Sequence, residues 1–493
     1  MKVLLVNPEY PVTFWSFKHV LRFVSKKAAY PPLGLLTVAG LAPSDWELRL
    51  RDLNVEKLGR RDLSWADLVL VGAMLIQRDS TLEVLERCRR AKVGIVAGGP
   101  LFSGAPEEFS PLVDHLFLGE AELTFPRFVR DLERGDPQKI YRSETFPDLA
   151  NAPIPRWDLI KASNYATFTI QSSRGCPFNC EFCDITNMFG RVPRVKSADQ
   201  LMRELRAIYD LGYRDRVFFV DDNFIGNKTK IKEILPRLIE WMKAHDYPFP
   251  LITEASINLS DDRELIELMV EANFDTVFIG LETPNEDSLR ECEKNQNRGR
   301  DLVASVAVLQ EAGLQVFGGY IVGFDSDDEN IFHRQIKFIQ ESGVVTAMVG
   351  LLNALPNTKL WRRLKDEGRL LVEASGDNTD GTINFIPKMD MEKLIEGYRE
   401  VVRTIYGHRA FYQRVSNFLE RYQPRHKKKK LKLKDIGVFF RSIFYLGVLG
   451  DGRSQWYFWK MFFKSVIFHR NAFLEAMTLM VYGHHFRKVA KKV

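Results

Sequence analysis

Short apolar runs, each closed by a polar or glycine-containing turn, alternate with stretches of helical spacing over the first 370 residues. In the first 140 the apolar runs are 3–7, 68–73, 93–97 and 115–118, and 47–52 alternates apolar with polar positions. Runs this short, bounded by turn residues, read as strands. Residues 30–42 and 80–92 carry helical spacing between them. Strands alternating with helices predict a parallel, doubly wound, Rossmann-like sheet over 1–140. Such a sheet takes ligands at the carboxyl ends of its strands. Asn7, the loop Met74, Leu75, Ile76, Gln77 and the pair Gly98-Gly99 fall there.

Residues 141–165 are rich in proline and poor in periodicity, and read as a linker. The alternation resumes over 166–370, with strands expected at 167–171, 216–220, 251–255, 276–279, 316–322 and 345–352. Helices are expected at 197–211, with Ser197 as N-cap and Gly212 as stop, and at 262–271 and 305–312. Six β/α units fit a partial, open (β/α)6 barrel. The polar residues cluster just after the strands, on the rim where barrel sites are built. From 371 to 493 the pattern is mostly helical, so the chain reads as an α/β protein with a helical C-terminal domain.

Length and composition change this picture little. A chain of 493 residues with 45% hydrophobic content is long enough for about three domains. Met1-Lys2 runs directly into an apolar strand, so no signal peptide is expected. No run of about 18 apolar residues suggests a membrane span. The net charge of +6 is uneven, with basic runs at 426–434 and 487–492. Aromatics at 438–463 are interleaved with Arg441, Arg453, Lys460 and Lys464. This segment reads first as a bundle packed on the barrel with a basic outer face. A membrane interface is the second reading. Nucleic-acid binding ranks last, because no recognised module is present.

The chemistry concentrates in Cys176, Cys180 and Cys183, spaced Cys-x3-Cys-x2-Cys in a loop after the expected strand 167–171. Three thiolates this close can hold three corners of a 4Fe–4S cluster, which leaves one iron free for a small molecule. Structural zinc wants four ligands, and the remaining cysteines, Cys88 and Cys292, are distant in sequence. An odd count of five argues against a disulfide framework.

The stretch 170–190, IQSSRGCPFNCEFCDITNMFG, resembles the signature of the radical S-adenosylmethionine (SAM) enzymes. In that family the open iron chelates SAM, and an electron from the cluster releases a 5′-deoxyadenosyl radical. The resemblance implies that Phe182 lies beside the adenine and that Asp221-Asp222-Asn223 stands near SAM's ammonium. It implies Glu254 and Asn258 near the carboxylate and ribose, and Glu282 on the ribose. Gly319 and Gly323 would pass the adenine, with Ala354 and Leu355 packed on it. Blander readings stand beside these. Residues 221–223 can cap a helix, Phe182 can pack behind the cluster, and Glu282 can be a surface loop charge. Asp325, running into an acidic loop, reads as solvated. Asp380 and Asn384 read as turn residues first.

The first 140 residues resemble a cobalamin-binding domain, on Asn7-Pro8, Pro31-Pro32-Leu33-Gly34, Gly98-Gly99-Pro100 and Gly119-Glu120. The Asp-x-His-x-x-Gly motif that ligates cobalt in many such domains is absent here, and His19 and His115 lack its context. The resemblance implies cobalt with Met74, Leu75, Ile76 or Gln77 beneath it. The stretch 376–385 resembles the start of a C-terminal domain found in the subgroup that includes the hopanoid C-2 methylase. That subgroup implies a cobalamin-dependent C-methyltransferase acting on a hydrophobic, lipid or isoprenoid-like small molecule. An oxygen-sensitive cluster and five scattered cysteines fit a reducing cytoplasm, where a low-potential donor such as flavodoxin or ferredoxin is expected, and the basic-aromatic segment gives peripheral contact with the inner membrane face as its second reading. The rival expectation is radical oxidation, cyclisation or C–C coupling with a cobalamin-free N-terminal domain.

Overall fold

The computed structural model describes residues 1–377, 379–425, 433–450 and 452–492. The N-terminal sheet has six parallel strands: β1 (Lys2–Asn7), β2 (Glu47–Asp52), β3 (Leu68–Gly72), β4 (Gly94–Gly98), β5 (His115–Leu118) and β6 (Ile140–Arg142). Their order is β2-β1-β3-β4-β5-β6, with helices as the crossovers. The chain therefore leaves β1 toward one side and returns to the other, which opens a crevice between the ends of β1 and β3. Strand β6 runs into residues the sequence pattern assigns to the linker. Only its middle residue, Tyr141, is buried, stacked on Phe117 with centroids 5.1 Å apart.

The second sheet begins with β7 (Phe168–Ile170). A small antiparallel pair, β8 (Ser173–Arg174) and β9 (Arg194–Val195), then brackets the cysteine loop. The sheet resumes with β10 (Val217–Phe219), β11 (Leu251–Glu254), β12 (Phe274–Glu282), β13 (Gln315–Val322) and β14 (Thr346–Leu351). All five junctions are parallel, in the order β14-β13-β12-β11-β10-β7, so β7 and β14 are free edges of an open, partial barrel. The helix Ala198–Asp210 starts as its sequence predicts, with the Ser197 side chain accepting from Gln200 N–H. It ends before Gly212, at φ 75°.

Register decides which side chains line the barrel. Tyr320 packs outward on Phe338 of the helix Ile331–Ser342. Alternation then turns Phe317, Gly319 and Ile321 inward. Pairing carries the inner face across to Phe278, Glu254 and Met348. It extends to Ile252 and Phe218. Trp15, from the N-terminal domain, enters this lumen. Its ring meets Phe278 edge-on at 5.3 Å, and its indole N–H points at Met348 Sδ, 2.9 Å away.

The C-terminal helices Met391–Tyr406, His408–Arg421, Leu433–Ser442, Gly452–Phe468 and Phe473–Ala490 wrap the barrel. Arg414, fully buried, joins them to it through Val344 O at 3.1 Å and ties its own helix to the preceding one through Ile405 O at 2.6 Å. Burial pulls its pKa down to about 10. Among the described residues no helix is long and apolar enough to cross a membrane. The basic run 426–434 lies outside the described residues, apart from its last two positions in the helix Leu433–Ser442.

Candidate active site

The cysteine loop leaves the barrel at the carboxyl end of β7. Cys176, Cys180 and Cys183 are all free thiols. Burial pushes the Cys183 thiol up to about 12 and raises Cys176, and each feels the charge of Cys180. Thiols placed this way ionise on meeting a metal, whose charge reverses the burial effect. Two of the sulfurs have an amide N–H aimed at them: Asn223 Nδ2 lies 3.8 Å from Cys176 Sγ, and Gln296 Nε2 lies 3.8 Å from Cys180 Sγ. Hydrogen bonds to ligating sulfurs tune cluster potential. The Gln296 amide oxygen is buried with no partner. Among the described residues no three side chains are grouped to hold a single metal ion. A cubane spreads its ligands over several irons, so the donor set suits a cluster.

The polar residues expected on the rim divide into two groups. Asp221 is spent inside the protein. Its carboxylate accepts from the backbone N–H of Ser172 at 2.6 Å and Ser173 at 3.1 Å, and from both serine hydroxyls. It ties the start of the cysteine loop to the end of β10. Glu282 is not a surface charge. It sits at φ 59°, buried, 2.7 Å from Lys294 Nζ. Burial lowers the Lys294 pKa, but Glu282 and Cys180 more than offset this and raise it. Lys294 therefore keeps its charge beside the thiols, 5.8 Å from the Phe182 ring centroid.

The second group lies at or just beyond the carboxyl ends of the barrel strands, with Glu254 and Gly319 on the inner face. Asp222 accepts from Gly175 N–H at 2.8 Å, and burial, with Asp221 nearby, raises it to about 7. Asn223 and Asn258 share Ser256. Asn223 Nδ2 donates to its hydroxyl at 3.1 Å, and that hydroxyl reaches Asn258 Oδ1 at 2.6 Å. Burial, then Asp222 and Asp221, push Glu254 up to about 8. Gly319 leaves room that the Phe278 ring fills, since a Cβ there would lie 2.9 Å from Phe278 Cζ. Gly323 N–H is fixed by Asp327 at 3.0 Å. Asn384 clamps Ala354 through both its backbone N–H and C=O at 2.9 Å. Asn384 thus positions the segment containing Leu355. Asp380 serves its own turn by accepting from Thr382 N–H at 2.8 Å.

Asp325 overturns its expectation most clearly. Its side chain is 7% exposed and is gripped by Arg369 at 2.6 Å and Arg363 at 3.0 Å. Burial pushes its pKa up, but these two guanidinium groups prevail and hold it at about 2. Arg363 continues to Glu181 at 2.6 Å, between Cys180 and Phe182. Backbone bonds Glu181 N to Cys292 O at 2.9 Å and Leu360 N to Glu181 O at 3.0 Å complete the anchor. Cys292, distant in sequence, thus lies behind the cysteine loop. Phe182 packs 6.3 Å from Phe324.

On the N-terminal side, Asn7 Nδ2 donates to Asp52 at 2.9 Å and Asn7 Oδ1 accepts from Gln77 at 3.2 Å. Gln77 also bonds Pro8 O at 2.6 Å and accepts from Met74 N–H at 2.9 Å. It is buried and fully engaged, so of the four residues expected beneath cobalt it is committed to the fold. Met74 is half exposed, with the Tyr10 hydroxyl 3.7 Å from its sulfur. Leu75 and Ile76 are covered by Gly376, where a Cβ would lie 2.9 Å from Ile76 N. Gly98 ends β4, and Gly99 follows it at φ 109°, where a Cβ would lie 2.9 Å from Ala73 O. Glu120, a weak motif in sequence, joins the domains. It pairs with Arg174 and, at 2.5 Å, with Arg194, flanking the cysteine loop.

Residues 170–339 match the Radical SAM superfamily. Residues 358–493 match a domain of unknown function, DUF4070. The chain is 40% identical to an uncharacterized methyltransferase of Synechocystis sp., over 99% of this chain and 91% of that protein. It is 32% identical to the hopanoid C-2 methylase of Rhodopseudomonas palustris, over 98% of this chain and 92% of that one. Its fold resembles the radical SAM methyltransferase TsrM from Kitasatospora setae, solved with cobalamin and a 4Fe–4S cluster. The TM-score is 0.61 at 13% identity, covering 97% of this chain and 98% of that one.

Proposed function

The chain belongs to the radical SAM superfamily, among methyltransferases that include the hopanoid C-2 methylase, and from that premise we propose a cobalamin-dependent C-methyltransferase of a hydrophobic, lipid or isoprenoid-like molecule. As a radical SAM enzyme it uses a 4Fe–4S cluster and SAM. Cys176, Cys180 and Cys183 would hold the cluster. When bound, these groups supply the radical chemistry and cobalamin supplies methyl transfer, while the protein binds, orients and excludes water.

The observation that carries the reading is the meeting of two surfaces. Three thiols with amide donors on two sulfurs stand at the rim of a lumen walled by Phe218, Ile252, Phe278, Ile321 and Met348. An apolar wall suits a lipid-like substrate. On it the Glu254 carboxylate accepts no hydrogen bond from the described residues and Asp222 accepts only from Gly175 N–H, which suits an ammonium. We assign SAM's methionine end and ribose to Asp222, Asn223, Glu254 and Asn258. Its adenine falls to the Gly319–Gly323 backbone, Ala354, Leu355 and Phe182. Asp221 and Glu282 act by holding the scaffold. Asn7, Gly98, Gly99 and the loop Met74–Ile76, at the carboxyl ends of the N-terminal strands, would hold cobalamin. For partners we propose a flavodoxin- or ferredoxin-type reductant and a membrane surface, with no nucleic acid, in the cytoplasm.

The test uses the anaerobically reconstituted protein, a hopanoid substrate and SAM labelled in its methyl group. The reading expects a product heavier by one labelled methylene. An unlabelled product that has lost two hydrogens overturns it.

A further inference from the structure

Among the described residues, 11 of the 23 exposed large apolar side chains lie between residues 436 and 474. They are ordered. Ile436, Phe440, Phe444 and Val448 recur every fourth residue along the helix Leu433–Ser442 and its continuation Ile443–Val448, so they form one stripe. Trp456, Phe463 and Ile467 share the outer face of the next helix, Gly452–Phe468. The two helices lie antiparallel. Phe439 meets Phe462 at 6.3 Å, and Trp459 Nε1 donates to Gly447 O at 3.0 Å. Their buried faces are thus spent on each other and on the body, and their stripes are left side by side in water. Contiguous apolar surface of this kind marks a site of association.

The charges around the stripes say what covers them. Residues 436–474 carry five Lys and Arg but one carboxylate, and the chain just before them is the basic run 426–434. Lys460 lies on the exposed face with Trp456, its Nζ 4.9 Å from the ring centroid. Arg441 and Lys464 are engaged by Phe23 O and Glu420, which leaves Arg453, Lys460 and Arg470 exposed. An apolar face with these cations, in a chain with no spanning helix among its described residues, matches a surface lying in the plane of an anionic bilayer. The hairpin is also coupled to the catalytic body. Arg441 Nε donates to Phe23 O at 2.7 Å, and Tyr445 packs on Phe23 at 5.4 Å. Phe23 ends the segment that begins with Trp15 in the barrel lumen. A docked hairpin therefore sets that segment, and the lumen behind it, beside the membrane.

We propose that the 436–474 hairpin is an in-plane docking surface for anionic phospholipid bilayers. The proposal rests on the membrane contact inferred above and names the surface that makes it. The test is vesicle flotation of the full-length, reconstituted protein, with phosphatidylglycerol–phosphatidylcholine vesicles against phosphatidylcholine alone. The wild type is expected to float with the anionic vesicles and to detach as salt rises. The double variant Phe440→Asp/Phe463→Asp should lose about tenfold or more of that binding. Its iron content and 5′-deoxyadenosine formation should be unchanged, since both side chains point away from the body. If the wild type does not float, membrane contact itself fails and the proposal with it. If the wild type and the variant float equally, the contact lies elsewhere and this surface is refuted. A concentration-dependent dimer that the same variant abolishes, without flotation of the wild type, would assign the face to a second copy of the chain and also refute the proposal.

Discussion

Replacing Asp325 by asparagine removes the charge that holds the cysteine loop to the barrel from behind. Arg363 bridges Asp325 to Glu181, so one guanidinium group supplies the side-chain part of the anchor between Cys180 and Phe182, beside the two backbone bonds of Glu181. The fall of the Asp325 pKa from 3.8 to about 2 corresponds to about 2.4 kcal/mol of preference for the charged form in the folded state. With 7% of the side chain exposed, solvent screening removes little of this. A depressed carboxylate stabilises fully above its ordinary value and loses that contribution as pH falls through about 2. The deficit of the variant is therefore constant across neutral pH. Arg369 carries part of this preference, so if loop opening limits iron loss to a chelator, removing the anchor accelerates loss by at most about sixty-fold. The assay is iron release from reconstituted protein, followed by visible absorption under anaerobic conditions. Asp328→Asn is the control, because its pair with Arg334 is exposed on both sides and is expected to change the rate by less than about twofold. Release from the Asp325 variant within about twofold of wild type would refute the anchoring argument.

Three further outcomes follow from the same geometry. Lys294→Met strands Glu282 as a buried, unpaired charge and should cost about 3–5 kcal/mol of stability. The double variant Glu282→Gln/Lys294→Met should recover most of it in thermal unfolding, and no recovery would show the pair is not the cause. Gly99→Ala forces a side chain onto φ 109° and against Ala73 O at 2.9 Å. It should cost about 2 kcal/mol or more and reduce corrinoid retention after reconstitution; wild-type retention would contradict this. Because Glu254 is neutral below about 8, SAM affinity should fall by up to about tenfold per pH unit below that value. Glu254→Gln should bind weakly with a flat profile in calorimetry, and a profile parallel to wild type would remove Glu254 from the SAM site.

The architecture was legible because its signals are local. Each barrel strand is a short apolar run, and each of the three cysteines expected to hold a cluster sits within four residues of the next. What stayed hidden depends on partners far along the chain. Asp325 looked solvated beside Asp327 and Asp328, yet its cations arrive from Arg363 and Arg369 across a crossover helix. Asp221 and Glu282 carried the right residue type at the right rim, but serine N–H groups and Lys294 had already engaged them. Gln77 read as a cofactor contact only because its loop does, while its amide closes that loop on Pro8. Lys294 and Gln296 were missed because the polar turn that carries them has no periodicity or spacing to single it out. Strand β6 was missed because three residues at a sheet edge give too short a pattern.

The account stands on sulfur ligation that leaves one iron open to SAM. Electron–nuclear double resonance of the reduced, reconstituted protein with isotopically labelled SAM tests it directly. Coupling of the labelled amino nitrogen and carboxylate to the cluster spin, lost in Cys180→Ala, is the predicted result. A cluster spectrum unchanged by SAM, or zinc in place of iron at Cys176, Cys180 and Cys183, would contradict it.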